Sequence, residues 1–133
     1  MPYWQLFYHF VWATFGREAL ISAELEPRVH GLLRGKATAL GATVYAINGM
    51  PDHVHLVAAV PPNLSLASFI GQVKGSCSTR VNKSGAHDRF QWQDEYAAFS
   101  FDAKRLPPIV AYVDNQKTHH AQSGLIPALE RLG

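Results

Sequence analysis

The sequence predicts an α+β fold of the ferredoxin-like βαββαβ arrangement: an antiparallel sheet with two helices on one face, plus a later helix that carries a tyrosine. Three observations predict it. An aromatic and β-branched segment opens the chain, two stretches have helical hydrophobic spacing, and between them lie two short strands joined by a tight turn.

The first strand is read at Leu6 to Thr14 (LFYHFVWAT), apolar on both alternating faces, as in the interior of a sheet. From about Glu24 to Leu40, Leu25, Val29, Leu32, Leu33, Ala37 and Leu40 recur at three- and four-residue steps. Pro27 falls in the first turn of that helix, and Gly41 is placed to end it. Thr43 to Asn48 and His53 to Val60 read as a hairpin turning through Gly49, Met50, Pro51 and Asp52. After Pro61 and Pro62, Leu66, Phe69, Ile70, Val73, Cys77 and Val81 trace one face of a second helix, with Lys74, Ser78 and Lys83 off its centre. The aromatic run Phe90 to Phe101 reads as a fourth strand with an extended approach. Pro107 and Pro108 start a third helix that runs to about His120, and Leu125 to Leu132 suggests a short terminal one. In this order the first and third strands lie centrally, so the His53 strand crosses the middle of the uncovered face.

With 133 residues the chain is expected to be one domain, residues 1–133. A hydrophobic fraction of 47% and a charged fraction of 17% exclude the composition of a disordered chain, and no apolar run reaches the length of a membrane span. Met1 to Trp12 lacks the basic start and cleavage site of a signal peptide, so a cytoplasmic location is expected. Cys77 is the only cysteine, which excludes an internal disulfide and a multi-cysteine zinc site; it reads as a buried apolar residue. A net charge of +2 permits a nucleic-acid partner without requiring one.

Two short motifs carry candidate chemistry. His53 and His55 are two apart on a strand, so both imidazoles share a face while Val54, Leu56, Ala58 and Val60 point to the other. Such a pair can hold one metal, although His-x-His alone is equally a pair of satisfied core or surface histidines. Tyr112 and Gln116 are four apart on the third helix and project from one side, with Asn115 and His119 extending the polar stripe. The plain alternative is a solvated helix face with a half-buried tyrosine.

The blocks YHFVWAT, GMPDHVHLV (Gly49 to Val57), KGSCSTRVN (Lys74 to Asn82), FQWQDEYAAFS and YVDNQKTHH (Tyr112 to His120) follow one another over nearly the whole chain. Together they resemble the single-tyrosine HUH transposases, the family of small single-strand insertion-sequence transposases and REP-associated tyrosine transposases. The resemblance implies that His53 and His55 are the HUH histidines, Tyr112 the nucleophile and Gln116 the third metal ligand. It further implies Mg²⁺ or Mn²⁺ as cofactor, single-stranded DNA hairpins at element ends as partners, and a homodimer in which the tyrosine helix of one subunit completes the other's site. The activity implied is cleavage and rejoining of single-stranded DNA through a 5′-phosphotyrosine intermediate.

Candidate DNA contacts are Lys74, Arg80, Lys83, Arg89, Lys104 and Arg105, with Trp92 or Tyr96 as stacking platforms, against the bland reading of solvated cations and core aromatics. Gly71 and Gly75 on the second helix invite close approach by a backbone or by DNA. Asp52, Asp114 or His9 could orient a ligand histidine. The alternative function is a non-catalytic, domesticated protein that binds hairpins or single strands, since the same architecture serves RNA-recognition modules; a third is a phosphodiesterase that uses water.

Overall fold

Alternation along the central strands divides the protein into two apolar layers, one on each face of the sheet. The computed structural model describes residues 3–85 and 89–121, with side chains through residue 118. The strands are β1 (Phe7–Ala13), β2 (Thr43–Met50), β3 (His53–Ala59) and β4 (Ala97–Phe101), in the order β2-β3-β1-β4. All pairings are antiparallel, and β1 and β3 are the central strands, as the element order predicted.

One face carries α1 (Glu26–Ala39) and α2 (Leu66–Lys83). Phe10 and Trp12 of β1 and Val54, Leu56 and Ala58 of β3 meet Val29, Leu33, Phe69, Val73, Cys77 and Val81 there, all buried. Ser65 caps α2, its hydroxyl accepting from the Ser68 amide at 3.1 Å. Burial pushes the Cys77 thiol up to about 12, so it stays a neutral core residue. The second face is covered by α3 (Leu106–Asp114): Tyr112 and Val113 bury against Ala46 and Val57, with Ile109 and Val110 beside them. Pro107 and Pro108 sit in its first turn, where a missing N–H costs nothing.

Three local expectations change. The hairpin turn is two residues, Pro51 and Asp52, because the ladder runs on to Met50 opposite His53. The fourth strand is shorter than its aromatic run: only Ala97–Phe101 pairs regularly, and Trp92 makes an isolated bridge to Thr14. The third helix ends at Asp114, and α4 (Gln116–Ala121) follows. At Asn115 the backbone leaves helical angles (φ −101°, ψ 22°), and its side-chain Nδ2 turns back to the Ala111 carbonyl at 2.7 Å beside the last regular amide bond of the helix. The fourth helix expected at Leu125 to Leu132 lies outside the described residues.

Lys74 differs from the other candidate cations in its burial. It is buried on α2, with Nζ donating to the carbonyls of Gln93, Asp94 and Glu95 at 2.6, 3.4 and 3.3 Å. Burial lowers the pKa of its ammonium, an effect partly offset by the charge of Asp94. Its ammonium holds the 93–95 segment on α2. Lys74→Met should therefore cost about 1–3 kcal/mol by stranding those carbonyls, read as a melting temperature lower by roughly 3–10 °C. A DNA-contacting lysine would instead leave melting unchanged and flatten the salt dependence of DNA binding.

Candidate catalytic and metal site

His53 and His55 lie on the α3 side of β3 and are 1% and 0% exposed, with ring centroids 5.1 Å apart. Their position follows from the strand period: Val54 and Leu56 take the helix-covered face, so the histidines must take the other. The hairpin turn and a neighbouring strand then fix the two rings. Asp52 Oδ1 lies 2.8 Å from His53 Nδ1, and His9 Nε2 of β1 lies 2.8 Å from His55 Nδ1. Two of the three groups considered as orienting partners therefore take that position. The third, Asp114, instead contributes its backbone carbonyl, which accepts from Asn48 Nδ2 at 3.1 Å.

These partnerships match what a histidine metal ligand needs. With Nδ1 engaged by a carboxylate or a second imidazole, the ring orientation is set and Nε2 is the atom offered to a cation. Partial burial pulls the Asp52 carboxyl upward, but the His53 hydrogen bond and charge, with the Arg17 guanidinium, hold it below its ordinary value. It therefore stays an anion beside the histidine at neutral pH. Among the described residues no three His, Cys, Asp or Glu side chains gather into a metal cage. A cation held here would need an amide as third protein donor beside the two imidazoles, and Gln116 is of that type.

Tyr112 comes to the same face from α3. Its ring sits edge-on to His55 with centroids 6.2 Å apart and to His9 at 6.5 Å, and it is 6% exposed. The Tyr112 ring thus lies against His55 and His9 of the same chain. Gln116, fully buried, starts α4, which packs against β2. That short helix is held by Lys117, whose Nζ reaches Glu26 Oε2 at 2.9 Å, Asn48 Oδ1 at 3.1 Å and the Gly49 carbonyl at 3.0 Å. Asn48 and Lys117 escaped the sequence reading because their partners are 66 and 69 residues away. The side chain of His119 lies outside the described residues.

The proposed DNA-contacting cations do not form one patch. Arg80 and Lys83 are exposed on α2 and line a cavity of about 460 Å³ with Gly75, Ser76 and Thr79, on the helix-covered side. Lys104 and Arg105 are exposed at the approach to α3, on the histidine side, and Arg89 is exposed near Gln91. Trp92 is a core residue: it is 6% exposed, lies edge-on to Trp12 and Phe90, and donates from Nε1 to the Lys74 carbonyl at 3.1 Å. Tyr96 is partly buried against Phe10. Neither ring stands clear as a stacking platform. Gly71 and Gly75 have open space where a Cβ would stand, and both line a second cavity of about 460 Å³ with Trp92 and Tyr96.

Several known proteins resemble this chain in sequence and in fold. A curated relative, the ISDra2 transposase TnpA of Deinococcus radiodurans, is 25% identical over 119 residues, covering 85% of each chain. The transposase for insertion sequence element IS200 of Salmonella typhimurium is 25% identical over 91 residues, 68% of this chain and 60% of that one. Among solved structures, a transposase candidate from Deinococcus radiodurans R1 superposes with a TM-score of 0.70 and 26% identity, over 87% of this chain and 95% of that one. The fold is also that of a REP-associated tyrosine transposase solved with a REP hairpin, at TM-score 0.66 and 12% identity, over 90% of this chain and 74% of that one. The family model "Transposase IS200 like" matches residues 2–116, from ahead of the first strand through Gln116, and the chain belongs to that family.

Proposed function

We propose that the protein cuts and rejoins single-stranded DNA at hairpin-flanked ends, with Tyr112 as nucleophile and His53, His55 and Gln116 as ligands of Mg²⁺ or Mn²⁺. The observation that carries this reading is the packing of the Tyr112 ring against His55, whose other partner is His9. A bound divalent ion would polarise the scissile phosphate and offset its developing charge. The choice of Mg²⁺ or Mn²⁺ comes from the family resemblance, because two imidazoles and an amide suit several divalent metals.

The chain's own residues supply the rest. The Tyr112 hydroxyl oxygen attacks phosphorus in line; the bond to the 3′ oxygen breaks, and that oxygen leaves as a hydroxyl. The phenol gives its proton to solvent, the departing 3′ oxygen takes one from solvent, and the tyrosine carries the 5′ phosphate. One phosphoester replaces another, so a 3′ hydroxyl can later reverse the step and join DNA without ATP. A phenol with an ordinary pKa near 10 is a poor nucleophile at neutral pH. Its place beside the histidine pair is where the charge of a bound cation would help most.

Residues 1–133 would act as one catalytic domain, as a homodimer, in the cytoplasm. Among the described residues no helix is long and apolar enough to cross a membrane. Tyr112 packs against His55 of its own chain, so a shared site would require α3 and α4 to exchange between subunits. Arg80, Lys83, Arg89, Lys104 and Arg105 remain the proposed DNA contacts. The direct test is incubation with labelled single-stranded hairpin oligonucleotides and Mn²⁺, followed by denaturing electrophoresis. A labelled protein band is expected. Hairpin binding with no such band would favour the non-catalytic alternative.

A further inference from the structure

The segment between β1 and α1 is stitched to the turn that precedes His53. Thr14 donates to the Asp52 carbonyl through its amide at 3.0 Å, its hydroxyl bonds the Glu18 carbonyl at 2.5 Å within the segment, and the Ile21 amide donates to the Pro51 carbonyl at 3.0 Å. Within this segment Gly16 and Arg17 are both left-handed, with φ of 62° and 56°. Arg17 is the one non-glycine residue with positive φ among the described residues. A side chain with a Cβ is disfavoured there, and glycine would serve the turn better. Burial does not compensate, because the Arg17 side chain is 55% exposed.

What the arginine does make is a contact with Asp52. Its Nη2 and Nε donate to Oδ2 at 3.1 and 3.3 Å, while the other carboxylate oxygen, Oδ1, faces His53 Nδ1 at 2.8 Å. Guanidinium, carboxylate and imidazole stand in series. Residues in sparsely populated backbone conformations persist where something else over-determines them.

We propose that Arg17 is a positioning residue for His53: by gripping Asp52 it keeps the carboxylate on Nδ1, holds the ring proton there and leaves Nε2 as the ligating atom. Asp52 is 30% exposed, so without the guanidinium its carboxylate can turn to water. The imidazole proton would then divide between the two nitrogens, and the form protonated on Nε2 cannot bind a cation through that atom. Arginine suits the task because its rigid fork brings two N–H groups to one oxygen, which a lysine ammonium does less selectively. This inference rests on His53 being a metal ligand.

The test uses the full chain as wild type, Arg17→Gly, Arg17→Lys and His53→Ala. Three quantities are measured: the imidazole ¹⁵N shifts of His53 in metal-free protein, Mn²⁺ affinity from the signal of free Mn²⁺, and thermal unfolding. Arg17→Gly should melt at or above the wild-type temperature, because glycine relieves the left-handed conformation. The same variant should show a smaller fraction of His53 protonated at Nδ1 and bind Mn²⁺ about tenfold more weakly. Arg17→Lys should recover part of both losses. Wild-type ¹⁵N shifts and Mn²⁺ affinity in Arg17→Gly would overturn the proposal while leaving His53 as a ligand. Equal Mn²⁺ affinity in wild type and His53→Ala would instead remove the ligand assignment, and the shifts of the metal-free protein would still decide whether Arg17 sets the His53 tautomer.

Discussion

Replacing Tyr112 with Phe is expected to abolish covalent attachment of DNA while hairpin binding and folding survive. The substitution removes a single oxygen. The ring that packs edge-on to His55 and His9 stays, as does its burial against Ala46 and Val57, so the stability change should stay within about 1 kcal/mol. What disappears is the attacking atom, and loss of a nucleophile of this kind lowers rate by more than about 10⁴-fold. Labelled hairpin DNA with Mn²⁺, run on a denaturing gel, should give no protein-linked band, whereas a native gel should show unchanged complex. Cleavage that persists in this variant without the adduct would point to water as nucleophile. An adduct that persists would move the nucleophile to another residue. Mixing Tyr112→Phe with His55→Ala subunits extends the test to assembly. If α3 exchanges between subunits, the mixture regains adduct, since some sites then combine an intact tyrosine with intact histidines. If the cis packing is the working arrangement, each chain stays inactive.

How much of this site was legible in the sequence depends on whether the geometry is local. The shared face of His53 and His55 follows from a period of two, and the burial of Val54, Leu56 and Ala58 on the opposite face follows with it. The βαββαβ order sufficed to put β1 and β3 at the centre of the sheet, and with them the histidine strand. Local reasoning failed where a side chain competes with the backbone or reaches across the chain. Asn115 looked like part of a continuous helix, yet its backbone leaves helical angles between Tyr112 and Gln116 and its side-chain amide turns back to the Ala111 carbonyl. Lys74 looked like one cation among several. Its burial depends on a loop 19 to 21 residues later that brings three carbonyls to its ammonium. Arg17 gave no signal at all, because its partner is 35 residues away and its unusual backbone angle is invisible in a one-letter code.

Gly49→Ala should damage the site from a position that carries no chemistry. Gly49 pairs with Val54 across the β2–β3 hairpin, between the two histidines in the partner strand. An added Cβ there would overlap the carbonyl oxygen of His53 and approach the Val54 Cα to 3.0 Å. These are backbone atoms of a central strand, so no rotamer change can relieve the clash; the strands must separate where the ladder holds His53 and His55. Overpacking of this kind costs about 1–3 kcal/mol or more, read as a melting temperature lower by roughly 3–10 °C or more. The functional loss should exceed what the stability loss explains, because a displacement of about 1 Å at a reacting centre can cost on the order of 100-fold in rate. Adduct formation measured well below the melting transition isolates that part. Gly71→Ala and Gly75→Ala make the same chemical change on α2 where a Cβ meets nothing within 4 Å. As interior helix positions they should gain about 0.5–1 kcal/mol and leave adduct formation intact. A Gly49→Ala protein that behaved like these two would mean that the spacing of β2 and β3 does not govern the histidine pair.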